Sequence, residues 1–285
     1  KDAYEDQIDR AAENIRNADC VIIGAGAGAS TAAGIQYGGK RFTDNFGEFI
    51  EKYGVHYMTD MYAAGFYPYP SEEAKWGYWS KHALMNRFDP PALPLYTKLY
   101  DIVKSKEYFV LTTNVDHQFY KAGFDEKRIF ATQGDYGKIQ CQKACHSKTY
   151  DAKELFRKMD EARKDCLIPS ELVPKCPVCG GNMAMNLRCD NYFVEDEAWH
   201  EAADRYACFL EQNKDKKVVL LELGVGFNTP IIIRFPFEKM VRENPSYSLI
   251  RLNMDEAVVP ESFGERAIGI GGDMAKAIAD IRGLV

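Results

Sequence analysis

Six short runs in this chain are almost uniformly apolar instead of apolar at every second position: "CVIIGAGAGAS", "YFVLTT", "RIFAT", "VVLLELGVG", "YSLIRLN" and "RAIGIGG". A strand with one wet face alternates, so uniform runs predict strands covered on both faces, as in a parallel sheet between two helical layers. The intervening segments are helix-like. Tyr4, Ile8, Ala11, Ala12 and Ile15 recur at helical spacing and predict an amphipathic helix from about Tyr4 to Asn17, leading into the first strand. Thr229 followed by Pro230, and Asp273, read as N-terminal caps of two later helices. With 285 residues, 46% of them hydrophobic, the chain can build one large domain or two ordinary ones. The expected class is α/β, a doubly wound parallel sheet.

Two stretches break the alternation of strand and helix. Phe42 to Phe88 is rich in aromatics and predicts a few short helices without a strand, one of them starting at Ser71 in "SEEAKWGYWSKHALMN". Trp76, Tyr78 and Trp79 read there as packing residues. The stretch from about Gly137 to Leu187 carries cysteine pairs around a charged helix, "DAKELFRKMDEARK". The expected division is a sheet domain from 1–41, 89–136 and 188–285, with a smaller module built from a helical part, 42–88, and a metal-binding part, 137–187. A net charge of −6 argues against nucleic acid, which draws its affinity from clustered cations. No apolar run is long enough to cross a bilayer, and the chain opens "KDAYEDQIDR" without a leader pattern, so no membrane association and a cytoplasmic location are expected.

Four features carry chemistry. Gly24, Gly26 and Gly28 directly follow a strand, where bare backbone and a helix start can hold a pyrophosphate, or simply make a tight turn. Gly24-x-Gly26-x-x-Ala29 loosely fits a dinucleotide fingerprint with Asp44 as the ribose acid, yet "GIQYGGKRF" is not a second strand, which disfavours an ordinary dehydrogenase. Of eight cysteines, Cys141-x3-Cys145 and Cys176-x2-Cys179 form two knuckles spaced for tetrahedral zinc, with an iron–sulfur cluster as the alternative, and four thiolates leave no open position, so the metal is expected to be structural. His146 reads as a surface neighbour of that site, and Cys20, Cys166, Cys189 and Cys208 as ordinary thiols. "TTNVDHQF" puts Asn114 and Asp116 just past a strand, fit either to orient a ribose and a developing cation or to make an Asx turn. Gln133 ends the strand "RIFAT", at the sheet edge where α/β enzymes keep their chemistry, though an amide is neither acid nor base.

Taken in order, "GAGAS-TAAGI", "TTNVD", Gln133-Gly134, the cysteine pairs, "LGVGFN" and "RLNMD" resemble the sirtuin family over nearly the whole chain. The resemblance implies a Rossmann-like NAD-binding domain beside a small module containing a zinc ribbon and a helical insertion. It places Gly24, Ala25, Gly26, Ala29 and Ser30 at the pyrophosphate, Asn114 and Asp116 at the nicotinamide and its ribose, and Gly224, Asn253 and Asp255 near the adenosine half. Arg41, Phe42, Thr113, Val225, Gly226 and Asn228 fall in the same NAD-contacting segments.

The departures from the family pattern are as informative. Gln133 stands where deacylases have the histidine that removes a proton from a ribose hydroxyl. A neutral amide cannot do that, but it can hydrogen-bond the ribose while nicotinamide departs. Thr113 replaces the glutamine of Q-N-x-D, "QYGGKRF" replaces P-D-F-R, and "NLRCDNYFVED" replaces an apolar peptide-gripping strand, so that Arg188 and Asp190 would line a polar acceptor channel. This combination is similar to the macrodomain-linked class M of microbial sirtuins. It implies an NAD-dependent protein mono-ADP-ribosyltransferase whose acceptor is a lipoylated glycine-cleavage H-like carrier protein, with a macrodomain ADP-ribosyl hydrolase as the reversing partner and a link to lipoylation and oxidative stress. A deacylase or lipoamidase using substrate-assisted proton transfer, and a non-catalytic NAD-sensing module, are the alternatives. A zinc-ribbon nucleic-acid binder is a more distant one.

Overall fold

Nine strands run along residues 2–285, the part that the computed structural model describes: β1 (Cys20–Ala25), β2 (Glu107–Thr112), β3 (Ile129–Ala131), β4 (Gly134–Cys141), β5 (Thr149–Asp151), β6 (Met183–Leu187), β7 (Val218–Leu223), β8 (Tyr247–Asn253) and β9 (Ala267–Gly271). The chain divides into two units, one made of Lys1–Gly34, Ala92–Gln133 and Ala198–Val285, the other of Ile35–Pro91 and Gly134–Glu197.

In the first unit the six uniformly apolar runs form one parallel sheet in the order β3-β2-β1-β7-β8-β9. That is the doubly wound arrangement, and the strand order reverses between β1 and β7, where such sheets open a crevice beyond the carboxyl ends of their strands. Successive side chains of β1 go to opposite faces. Val21, Ile23 and Ala25 join one core beneath the helices Ala3–Asn17, Pro94–Val103 and Met274–Arg282, and Cys20 and Ile22 join the other beneath Glu197–Gln212 and Arg234–Glu243. Both sides are dry, hence the absence of alternation. The predicted N-terminal helix is present, burying Ile8, Ala11, Ala12 and Ile15, and Asp273 accepts the Lys276 N–H as the cap of the last helix.

One expected boundary is wrong. The helix does not start behind Thr229 at Pro230; it starts at Arg234, after a turn in which the Phe235 N–H reaches the Pro230 carbonyl. Pro236 is the reason. It has no N–H to give, so it fits only the first turn of a helix, where that donor would find no partner inside the helix.

The second unit has a three-stranded antiparallel sheet, β5-β4-β6, and the expected short helices Gly39–Asn45, Gly47–Tyr53, Met61–Gly65 and Glu72–Ala83. Ser71 caps the last of these through the Ala74 N–H. Phe42, Phe46, Phe49 and Tyr78 form its fully buried core. His82 is enclosed by Tyr37, Tyr78, Trp79 and Tyr136, and burial, with Arg41 nearby, lowers its pKa to about 3, so the ring is neutral. No helix among the described residues is long and apolar enough to cross a membrane.

Candidate active site

The carboxyl ends of β1, β2, β3, β7 and β8 bring most of the expected residues of the first unit to one edge of the sheet. Between β1 and β7 the two glycine loops lock together. Gly26 N–H donates to the Leu223 carbonyl at 2.9 Å and Gly28 N–H to the Gly224 carbonyl at 3.0 Å. Gly224 has a left-handed φ of +62°, and a Cβ there would lie 2.4 Å from the Ala29 nitrogen; a Cβ on Gly26 or Gly28 would come within 2.8 Å of Gly224. Only bare backbone permits this approach, and it leaves the smooth floor that a pyrophosphate requires. Gly24 does something else: its missing side chain is filled by Ile233 and Phe237 pressing on β1. Ala29 has no exposed surface and packs in the core.

A hydrogen-bond chain stands beside these loops. Tyr96 hydroxyl, 2.6 Å from Ser30 Oγ, can donate to it, and Ser30 in turn donates to Asp116. Asp116, 6% exposed, also accepts the Gln118 N–H at 3.2 Å, so the Asx-turn reading holds for one of its oxygens and Ser30 takes the other. Asn114 is better placed for a ligand. It is half-buried, its Nδ2 donates to the Gly26 carbonyl at 2.9 Å, and its N–H is held by the Thr112 hydroxyl, which itself donates to the Ala25 carbonyl. Thr113 contributes its N–H to the same Ala25 carbonyl. Tyr96 carried no signal in the sequence, because a tyrosine on an amphipathic helix looks like core.

Gln133 follows β3 and is half-buried, with Thr132 hydroxyl donating to its side-chain oxygen at 3.2 Å. His117, the histidine nearest in sequence to Asn114, stacks on Tyr120 with ring centroids 4.2 Å apart. On the β7 and β8 side, Asn253 Nδ2 donates to the Val225 carbonyl, while its Oδ1 accepts the N–H groups of Asp255 and Glu256. Gly226 is half-buried, and Asn228 and Asp255 are exposed. Beneath lies a pair the sequence reading missed, Glu222 and Arg251, joined side by side at 2.5 and 2.9 Å across β7 and β8. A lone acid and a lone base at matching places in two apolar runs were the available clue.

The other expected residues belong to the second unit. Arg41 donates to the Gln36 carbonyl, the Asn86 side-chain oxygen and the Met85 carbonyl at 2.8–2.9 Å, all neutral partners, and burial lowers its pKa. Its charge therefore has no carboxylate against it among the described residues. Phe42, in contrast, has no exposed surface and stacks on Phe46, so it packs the core and offers a ligand nothing. Arg188 pairs with Glu195 at 2.7 Å over the Phe193 ring, and Asp190, exposed, accepts the Tyr192 N–H.

Cys141, Cys145, Cys176 and Cys179 bring their sulfurs within 4.8 Å of one another. Cys141–Cys179 and Cys145–Cys176 are 3.7 and 3.6 Å apart, matching the tetrahedron edge of about 3.8 Å set by zinc–sulfur bonds of about 2.3 Å. The backbone N–H of Cys145 pulls the Cys141 thiol down to about 6, and those of Cys179 and Val178 lower that of Cys176, whereas burial and the neighbouring sulfurs push Cys145 up to about 12, so the loops favour the thiolate at Cys141 and Cys176 only. The donor set fits structural zinc. His146 is more than a surface neighbour: its Nδ1 lies 3.2 Å from Cys145 Sγ and its Nε2 2.8 Å from the Tyr150 hydroxyl.

No protein-family model matches this chain. It is 39% identical to a protein ADP-ribosyltransferase of Staphylococcus aureus over 265 residues, 93% of this chain and 83% of that one. It is 31% identical to a probable bifunctional ADP-ribose hydrolase/ADP-ribosyltransferase of Fusarium oxysporum, covering 94% of this chain but 46% of the larger protein. Among solved structures it superposes on a Sir2 homologue in complex with NAD with a TM-score of 0.58, at 15% identity, covering 97% of this chain and 94% of that one. A Sir2 homologue mutant in complex with 2'-O-acetyl ADP ribose gives 0.59 at 15% identity, with 96% of each chain covered. These likenesses and the doubly wound sheet with its four-cysteine module agree: the chain belongs to the protein ADP-ribosyltransferase family, built on the sirtuin fold.

Proposed function

We propose that this protein is an NAD-dependent mono-ADP-ribosyltransferase that acts on a protein acceptor. The observation that carries the proposal is Gln133 at the end of β3, an amide at the strand end where a deacylase would need a base. NAD supplies the ADP-ribosyl group, with nicotinamide as the leaving group and an acceptor nucleophile taking its place at the ribose. Asn114, pinned between Thr112 and the Gly26 carbonyl, orients the nicotinamide ribose. Asp116 anchors Asn114's loop through Ser30 and carries negative charge beside the ribose, where positive charge develops. Gln133 accepts or donates a hydrogen bond to a ribose hydroxyl and leaves its proton in place. Arg41, a cation facing only neutral partners, is suited to an anionic ligand.

The finer reading follows the resemblance to class M sirtuins: the acceptor is a lipoylated glycine-cleavage H-like carrier, Arg188 and Asp190 meet it, and a macrodomain hydrolase removes the mark in the cytoplasm. The Fusarium relative, whose name joins a hydrolase to a transferase, supports such a hydrolase partner. The test is the intact mass of a lipoylated carrier after incubation with enzyme and NAD, repeated with the unlipoylated carrier and with Asn114→Ala. Gain of one ADP-ribose, only when lipoylated and only with Asn114, is expected. Loss of the lipoyl group would replace the proposal with deacylation, and an unchanged carrier would remove this acceptor.

A further inference from the structure

Arg234 is in the wrong place for an ordinary arginine. It is the first residue of the helix Arg234–Glu243 and is 3% exposed. Helix N-termini carry partial positive charge and favour acids, and a buried cation adds a desolvation cost. A side chain that goes against two such preferences is held by specific partners, and all of Arg234's are on the site side of the sheet. Nη1 donates to the Val225 carbonyl at 3.0 Å, in the loop after β7. Nη2 donates to the Glu256 carbonyl at 3.1 Å, in the loop after β8. Glu222, already paired with Arg251, lies 4.0 Å away and offsets the charge. Above the guanidinium, at 4.1 Å, lies the ring of Phe227, 54% exposed.

One planar fork therefore ties together two loops that share no strand pairing beyond Asn253. These loops hold Asn253 and Asp255, expected near the adenosine half, together with Val225, Gly226 and Asn228, expected to contact NAD. We infer that Arg234 is a positioning residue that preforms the adenosine end of the NAD site by bridging the loops after β7 and β8, and that it holds Phe227 face-on as an aromatic wall for the purine. The inference rests on the NAD reading above. A guanidinium can reach both carbonyls at fixed angles, whereas an ammonium is a point charge that satisfies one of them well. Preformed loops lower the ordering cost of binding, so the loss should appear in nucleotide affinity and leave the nicotinamide end untouched.

The test compares wild type, Arg234→Lys and Arg234→Met in two measurements: nicotinamide release from NAD, and calorimetric binding of ADP-ribose. Expected is a rise of about tenfold in KM for NAD and in Kd for ADP-ribose in Arg234→Met, with kcat within about twofold, and no full rescue by lysine. A lower kcat at unchanged KM and Kd would mark a purely structural role and overturn the inference, as would full rescue by Arg234→Lys. If wild type binds ADP-ribose but releases no nicotinamide, the transferase reading fails while the binding comparison still decides the role of Arg234. Should Arg234→Met not fold, Arg234→Lys carries the test through its Kd.

Discussion

The two units solve the same problem, holding irregular backbone still, by different means. In the first, the long apolar strands β1, β7 and β8 bury both faces, and with that much core the loops at their ends can be left as bare backbone locked by geometry, Gly26 and Gly28 against Gly224. In the second, β5 and β6 are only 3 and 5 residues long, and a small sheet cannot hold its loops by burial alone. It uses four cysteines gathered for a metal and an aromatic shell around a neutral histidine. The difference teaches where each unit is vulnerable: one to added atoms, the other to lost ligands and added protons.

The largest effect that could break this comparison is metal removal. Structural zinc contributes on the order of 10 kcal/mol to the folding of small modules, so chelation should strip hydrogen-exchange protection from β4 and β6 while β1, β2, β7 and β8 keep theirs. Equal loss in the parallel sheet would show that the units do not differ in this way. Next is Gly224→Ala, which adds a Cβ 2.4 Å from the Ala29 nitrogen at a φ of +62°. A cost of about 3 kcal/mol or more in denaturant unfolding is expected, with loss of NAD binding. Gly180→Ala beside the second cysteine pair sharpens the contrast. Its φ of +72° is similar but no atom lies within 4 Å, so only the left-handed strain remains, about 1 kcal/mol.

An effect that lies between those of the two glycines concerns His82. With its folded pKa at about 3 and an ordinary value near 6.5 when unfolded, the unfolded chain binds the extra proton between those values. Stability from the neutral ring is complete above about pH 6.5 and falls as pH drops, by about 2 kcal/mol at pH 5. Thermal melts of wild type and His82→Phe at pH 7.5 and pH 5 check this: the acid-induced drop should be smaller in the variant. Equal drops would exclude His82 as the acid-sensitive group of its unit.

Much of this was legible in the sequence for local reasons. Uniform apolar runs announce burial on both faces, the paired cysteines announce a tetrahedral site, and Ser71 and Asp273 announce helix starts because a cap bonds to backbone three residues away. Pro236 is just as local a signal, but Thr229 followed by Pro230 has the same cap-and-proline pattern and masks it in the sequence. Long-range partners were not legible. The sequence marks Asp116 for ribose or turn, and only the fold shows Ser30 and Gln118 dividing its two oxygens; it marks Arg41 and Phe42 alike, and only the fold buries the one and leaves the other's charge unmatched.

By itself, then, the chain determined the six strands of the parallel sheet, the helix starts at Ser71 and Asp273 and which four side chains hold a metal, because hydrophobic periodicity, caps and ligand spacing act over a few residues. Tertiary structure alone decided that Gly224 must be bare because Ala29 lies against it, that Glu222 meets Arg251, and that Tyr96 and Arg234 brace the site. Apart from the Arg234–Val225 bond, those contacts join residues tens of positions apart, and their energy exists only once the sheet has brought the strand ends side by side.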